Sequence, residues 1–88
     1  MGRVAVLLRL MPDAVEADLA SIGEEARRRL PAGVALRGAQ VKDVAYGLKS
    51  LLLSVVMDDA GGLLPATEEA LARIPHVASV EVMEEGLL

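Results

Sequence analysis

Cysteine, phenylalanine and tryptophan are missing from this 88-residue chain, and its only tyrosine and histidine are Tyr46 and His76. Without cysteine there is no disulfide framework and no thiolate nucleophile. With one histidine and no Ser-x-Gly elbow, Ser–His hydrolysis and multi-histidine metal binding are excluded. No apolar run approaches the roughly 18 residues that a membrane-spanning helix needs. The opening Met1 to Leu8 is basic and then apolar, like a signal peptide, but Arg9 interrupts it and no small-residue cleavage site follows. The cytoplasm is the expected location, with no membrane partner. Positive charge is also scarce: nine Lys and Arg against thirteen Asp and Glu leave a net charge of −4. Phosphate neutralisation needs clustered cations, so direct nucleic-acid binding is not expected. A protein partner with a basic surface fits the charge better.

What the chain does have is aliphatic. Hydrophobic residues make up 53% of it, enough for one thin core, and residues 1–88 are expected to form a single domain. From Arg3 to Met11 the pattern has period two. Val4, Val6, Leu8 and Leu10 point one way, as in a half-buried strand that Pro12-Asp13 ends. Asp18 is placed to cap a helix over about Leu19 to Leu30, with Leu19, Ile22, Ala26 and Leu30 on one stripe. Arg27, Arg28 and Arg29 collect at its C-terminal end, where the helix dipole favours them. Strands follow from about Val34 to Val44 and from about Leu48 to Met57, joined by a hairpin turn at Ala45-Tyr46-Gly47. Leu51, Leu53, Val55 and Met57 share a face of the second of these strands.

Asp58 to Gly62 reads as a flexible loop. A second helix spans about Leu64 to Ile74, with Pro65 in its first turn and Pro75 beyond its end. The last strand is about Val77 to Met83, with Ala78, Val80 and Val82 inward and Glu84 to Leu88 as a short tail. The order βαββαβ is an α+β arrangement. Two right-handed crossovers joined by a hairpin predict a four-stranded antiparallel sheet of order 4-1-3-2, with both helices on one face. The other face stays open, and parity puts Leu7, Leu52, Val56 and Met83 on it. A row of such residues suits a partner or a second copy, whereas isolated exposed apolar residues are ordinary.

Few segments carry chemistry. Asp58-Asp59 before Gly61-Gly62 lacks the alternating ligands and distal glutamate of a calcium loop. Gly61-Gly62 lacks the following Lys and Ser/Thr of a phosphate loop. His76, in a loop without evident partners, reads as incidental. No metal, no cofactor and no catalytic group are therefore expected. The informative cluster is Tyr46, Gly47, Leu48 and Lys49, which gathers the sole aromatic, a glycine and a lysine at one hairpin turn. Turn chemistry alone explains Gly47 and a soluble Lys49. An exposed aromatic beside a charge is also how a small domain presents a binding hot spot.

With this cluster the chain resembles the archaeal-type elongation factor 1-beta family, the guanine nucleotide exchange factors of translation elongation factor 1-alpha. The likeness spans the whole chain. It comprises Met1-Gly2, Leu10-Met11-Pro12, Leu30-Pro31-Ala32-Gly33, the aromatic-Gly-Leu-Lys element Tyr46 to Lys49, Val55-Val56-Met57-Asp58-Asp59 and Gly61-Gly62. It continues in Glu68-Glu69-Ala70-Leu71 and ends in Val77-Ala78-Ser79-Val80-Glu81-Val82. The resemblance implies a ferredoxin-like sandwich that promotes GDP release and GTP loading on elongation factor 1-alpha in protein synthesis. It implies a partner-binding role for Tyr46, Gly47, Leu48 and Lys49, with the aromatic ring retained where the family motif commonly has Phe. In eukaryotic relatives a lysine near the C-terminus reaches the partner's magnesium site. Glu84 to Leu88 contain no lysine, so either Lys49 supplies the cation or the magnesium leaves by another route.

Three other readings compete with this one. A ferredoxin-like RNA-binding domain stacks bases on sheet aromatics, and no strand here carries one. An acylphosphatase-like enzyme uses an Arg and an Asn, and this chain has no Asn. A small-molecule regulatory domain, dimeric through its open face, rests on fold alone. For the exchange factor, a monomer or weak homodimer is expected.

Overall fold

The computed structural model describes residues 2–88. Its elements are β1 (Arg3–Pro12), α1 (Leu19–Arg29), β2 (Val34–Ala45), β3 (Leu48–Asp58), α2 (Leu63–Ala72) and β4 (Val77–Leu87). The sheet order is β2-β3-β1-β4 and every neighbouring pair is antiparallel. This is the ferredoxin-like α+β topology that the pattern of hydrophobicity predicts.

The period-two alternation of β1 becomes a strict alternation of burial. Val4, Val6, Leu8 and Leu10 are buried, and β3 answers each across the ladder with Met57, Val55, Leu53 and Leu51. Four aliphatic pairs therefore run down the centre of one sheet face. Ile22 and Ala26 of α1, Leu71 of α2 and Ile74 beyond it pack onto them. Leu8 and Leu53 are wholly buried, and each such side chain contributes roughly 1.5–3 kcal/mol through loss of contact with water. The buried Thr67 donates its hydroxyl proton to the Leu63 carbonyl at 2.8 Å, so no buried polar side-chain atom among the described residues lacks a partner.

Both helix ends are set by local chemistry. Asp18 has extended backbone and accepts from the Ser21 N–H at 3.2 Å, the capping bond expected at that position. At the other end Glu25 accepts from Arg28 and Arg29, each at 3.2 Å, and Arg29 also donates to the Arg73 carbonyl at 3.3 Å. The arginine run thus ties the end of α1 to the end of α2 as well as complementing the dipole. The second helix starts one residue earlier than expected, after Gly62 in the left-handed region at φ 86°, and has no side-chain cap.

Two expectations fail at β4. Glu84 to Gly86 are not a tail: β4 continues to Leu87, and the Leu88 N–H donates to the Arg3 carbonyl at 2.9 Å. β1 is interior, so its outer edge needs hydrogen-bond partners along its whole length, and an edge strand leaves the glutamates in water. The inward residues also differ. Pro12 pairs with Val77 and Met11 with Ser79, so Ala78 is the extra residue of a bulge. Val77 and Val80 pack on the core, Ala78 is exposed, and Val82 sits at the rim. A second shift between Leu7 and Leu8 makes Met83 extra in the same way.

The open face is less apolar than parity suggests. Val56 is buried, and Leu7 and Leu52 are half-buried. Arg9 donates to Glu81 across β1 and β4, with a 3.0 Å bond from Nε and a second, closer contact from its terminal nitrogen.

The cap bond predicts a pH dependence. The Ser21 backbone and side-chain bonds hold the Asp18 carboxyl below its ordinary value of 3.8. The stability it contributes is fully present above that ordinary value and lost as pH falls through the lower folded one. Asp18→Ala is expected to lower the thermal midpoint at neutral pH. The gap to wild type should close as both proteins are acidified below the carboxylate range, as followed by circular dichroism.

Candidate functional site

The molecule measures 42 × 20 × 17 Å, and the β2–β3 hairpin carries its turn one residue pair beyond the end of β1. From Arg37 to Gly47 every residue is exposed. The two strands close with Ala45 opposite Leu48, leaving Tyr46 and Gly47 as a two-residue turn with φ of 53° and 80°. Positive φ at both positions is the primed turn whose twist matches the flanking strands, and it favours Asn-Gly or Gly-Gly. Gly47 meets that demand. Tyr46 does not, since a bulky side chain in the left-handed region is strained.

Tyr46 is also completely exposed, at 103% of its reference area. A ring that closed the rim of the aliphatic core would be at least partly covered, so Tyr46 does not pack there. The residue carries backbone strain and contributes no burial in return. No packing of the ring offsets the strained backbone. Leu48 is half-buried and anchors the turn to the sheet. Lys49 is exposed on the first part of β3, opposite Asp43 in the ladder. The register slips between Asp43 and Ala45, so Val44 bulges beside the turn and is 44% exposed. The four residues singled out from the sequence thus lie together at one tip, with ring and ammonium both facing water.

Tertiary structure adds neighbours that local pattern does not reveal. The Val15 Cγ1 lies 4.0 Å from where a Cβ on Gly47 would stand, so the β1–α1 loop abuts the tip, and Val15 is itself exposed. That loop is held by Asp13. Its N–H donates to the His76 carbonyl at 2.9 Å, and its carboxylate meets the His76 Nδ1 at 3.3 Å. His76, at φ 72°, thus has Asp13 as a partner, contrary to the sequence reading. A separation of 63 positions between Asp13 and His76 hides that contact from any local pattern. Three connections gather at this end: residues 13–18, 46–47 and 73–76. A shallow cleft of about 280 Å³ between α1 and the turn after α2 is lined by Ile22, Ile74 and Pro75, with Asp18, Glu25 and His76 at its polar side. Among the described residues no three His, Cys, Asp or Glu side chains converge as metal ligands. This end of the molecule presents the exposed Val15, Val44 and Tyr46 and the ammonium of Lys49 beside Asp13, Asp18 and His76.

The strain at Tyr46 is measurable. Tyr46→Asn is expected to hold or raise the unfolding midpoint, because Asn tolerates the left-handed region. Gly47→Ala should cost about 1 kcal/mol or more in urea denaturation, because alanine resists positive φ. A marked loss of stability in Tyr46→Asn would show that the ring is packed.

Residues 5–87 match the family model described as the EF-1 guanine nucleotide exchange domain. The chain is 40% identical over 86 residues to elongation factor 1-beta of Methanococcoides burtonii, covering 98% of this chain and 97% of that protein. It is 38% identical over 85 residues to elongation factor 1-beta of Methanosarcina mazei, covering 96% of each. It is 36% identical over 88 residues to that of Halobacterium salinarum, covering the whole of both. Among solved structures, the C-terminal domain of the MgtC protein from Mycobacterium tuberculosis superposes with a TM-score of 0.58. The superposition covers 99% of this chain and 88% of that one at 12% identity, a likeness of fold alone. A family model that runs nearly end to end, with relatives aligned over almost their full lengths, makes this chain a member of the EF-1 guanine nucleotide exchange family.

Proposed function

We propose that this chain, acting as a single exchange domain in the cytoplasm, binds elongation factor 1-alpha through the hairpin tip Tyr46 to Lys49 and so speeds release of its GDP. The exchange function itself follows from family membership. The observation that carries the assignment to the tip is Tyr46, fully exposed and held at positive φ where the fold would favour Asn.

The activity needs no covalent chemistry. An exchange factor binds the nucleotide-free partner more tightly than the nucleotide-bound one. By linkage, nucleotide and exchange factor weaken each other by the same factor. What is required is contact that differs between the two states of the partner. A rigid aromatic with a polar tip supplies apolar area at little entropic cost. Gly47 lets the turn close, and Leu48 fixes the turn on the sheet. Lys49 lays its stem along the ladder and presents its ammonium outward, where it would compete with magnesium for carboxylate and phosphate oxygens. Val15 and Val44 widen the apolar contact around the ring.

A charge of −4 and a sheet without aromatic residues argue against RNA as a direct ligand. The described helices are too short and polar to cross a membrane.

Labelled GDP should leave cognate elongation factor 1-alpha faster when this chain is added. Folded Tyr46→Ala should weaken the complex by roughly 1–3 kcal/mol, the hot-spot range. Lys49→Ala should slow exchange more at high magnesium than at low. An unchanged release rate with wild-type protein across magnesium concentrations rejects the exchange activity. Full activity in both folded variants rejects the tip alone.

A further inference from the structure

The open face of the sheet carries charge of opposite sign at its two edges. Arg37 and Lys42 stand on β2, and Glu81 and Glu84 on β4. Between them lies a half-buried apolar floor of Leu7 and Leu52, with the buried Val56. The ladders align these edges level by level. The bulge that holds Arg37 lies at the pairing of Gly38 with Ser54, Ser54 pairs with Leu7, and Leu7 with Glu84. Arg37 and Glu84 both line the groove over this face. They are three strand spacings apart, roughly 14 Å, which is too far for an ion pair within one chain. Neither has a charged partner among the described residues.

A second copy stacked on this face meets it in one of two symmetric ways. With the two-fold axis across the strands, β2 lies on β2 and β4 on β4. Glutamate rows then face each other, and arginine and lysine do the same. With the axis along the strands, β2 of one copy lies on β4 of the other at the same level. Arg37 then faces Glu84, Glu81 faces Gln40, Lys42 faces Ser79, and Leu52 meets the aliphatic stem of Arg9. No like charges are opposed at any of these levels. Stacked sheets cross at about 30°, which displaces edge residues by about one level, within the reach of an arginine. Four strands about 4.8 Å apart and about ten residues long give a face of roughly 600 Å² per copy, at the low end of interfaces between chains. We propose that the chain self-associates through its open sheet face as a two-fold dimer whose axis runs along the strands, with Arg37 of each copy paired to Glu84 of the other. The copies each carry −4, so association is weak and depends on this local match. The hairpin tip projects from the end of the sheet and stays free in the dimer.

Sedimentation of the full chain from about 10 μM to about 1 mM spans the affinities expected of a weak complex. Wild type should pass from monomer to dimer in that range, and the dimer should weaken with salt as exposed ion pairs are screened. Arg37→Glu alone and Glu84→Arg alone should each weaken self-association roughly tenfold or more, because like charges then meet twice per dimer. Mixing the two single variants should restore a dimer, now a heterodimer, because every opposed pair becomes complementary. That recovery also shows that both variants are folded. Wild type that stays monomeric throughout overturns the proposal. So does a dimer insensitive to both substitutions, or one that mixing does not restore. If Arg37→Glu slows GDP release while wild type stays monomeric, the elongation factor covers this face instead, and the proposal falls.

Discussion

Leu8 facing Leu53, with Val6 on Val55 and Leu10 on Leu51, forms the aliphatic spine between the two central strands. Everything else in this small domain leans on it. Both helices reach the core only by packing on that spine, and no aromatic side chain fills the space between them. A core without aromatic side chains has little area to spare at 88 residues. That constraint explains why β1 alternates so strictly and why the buried threonine and serine each find a carbonyl.

The outer strands answer to different demands. β2 and β4 each pair on one side only, and their residues are largely exposed. Charge on both discourages edge-to-edge pairing with other chains. It also gives the sheet a polarity, basic along β2 and acidic along β4, which the interior strands keep apart. The hairpin draws on the same freedom. Beyond Ser50 the sheet has no helix to support, so its tip departs from what packing would choose. Tyr46 sits there in a backbone region that suits Asn or Gly.

This division of labour fits nucleotide exchange. A domain that makes and breaks no bonds needs no cleft lined with acids and bases, and the described residues form no converging metal ligands. It needs a rigid body and a projecting contact. The spine supplies rigidity, and the hairpin tip, flanked by Val15 and Val44, supplies a surface at one end.

Much of this was determined by the sequence itself. Period-two alternation in Arg3 to Met11, the Asp18 cap, the prolines around the second helix and the turn at Tyr46-Gly47 are local signals, and local physics decides them. Element order then limits the topology to few choices because crossovers are right-handed. The ring, glycine and lysine at the turn were visible for the same reason. Tertiary structure decided the rest. Glu84 to Leu87 look like a tail because their side chains are polar and their alternation is broken. They are strand because the outer edge of β1 needs hydrogen-bond partners, a demand that belongs to another segment. The bulges at Ala78 and Met83 invert parity, which no reading of β4 alone reveals. The contacts of Asp13 with His76 and of Val15 with the hairpin join residues far apart in the chain. The exposure of Tyr46, and hence its availability to a partner, depends on how far the hairpin outruns the core, which only the packed sheet defines.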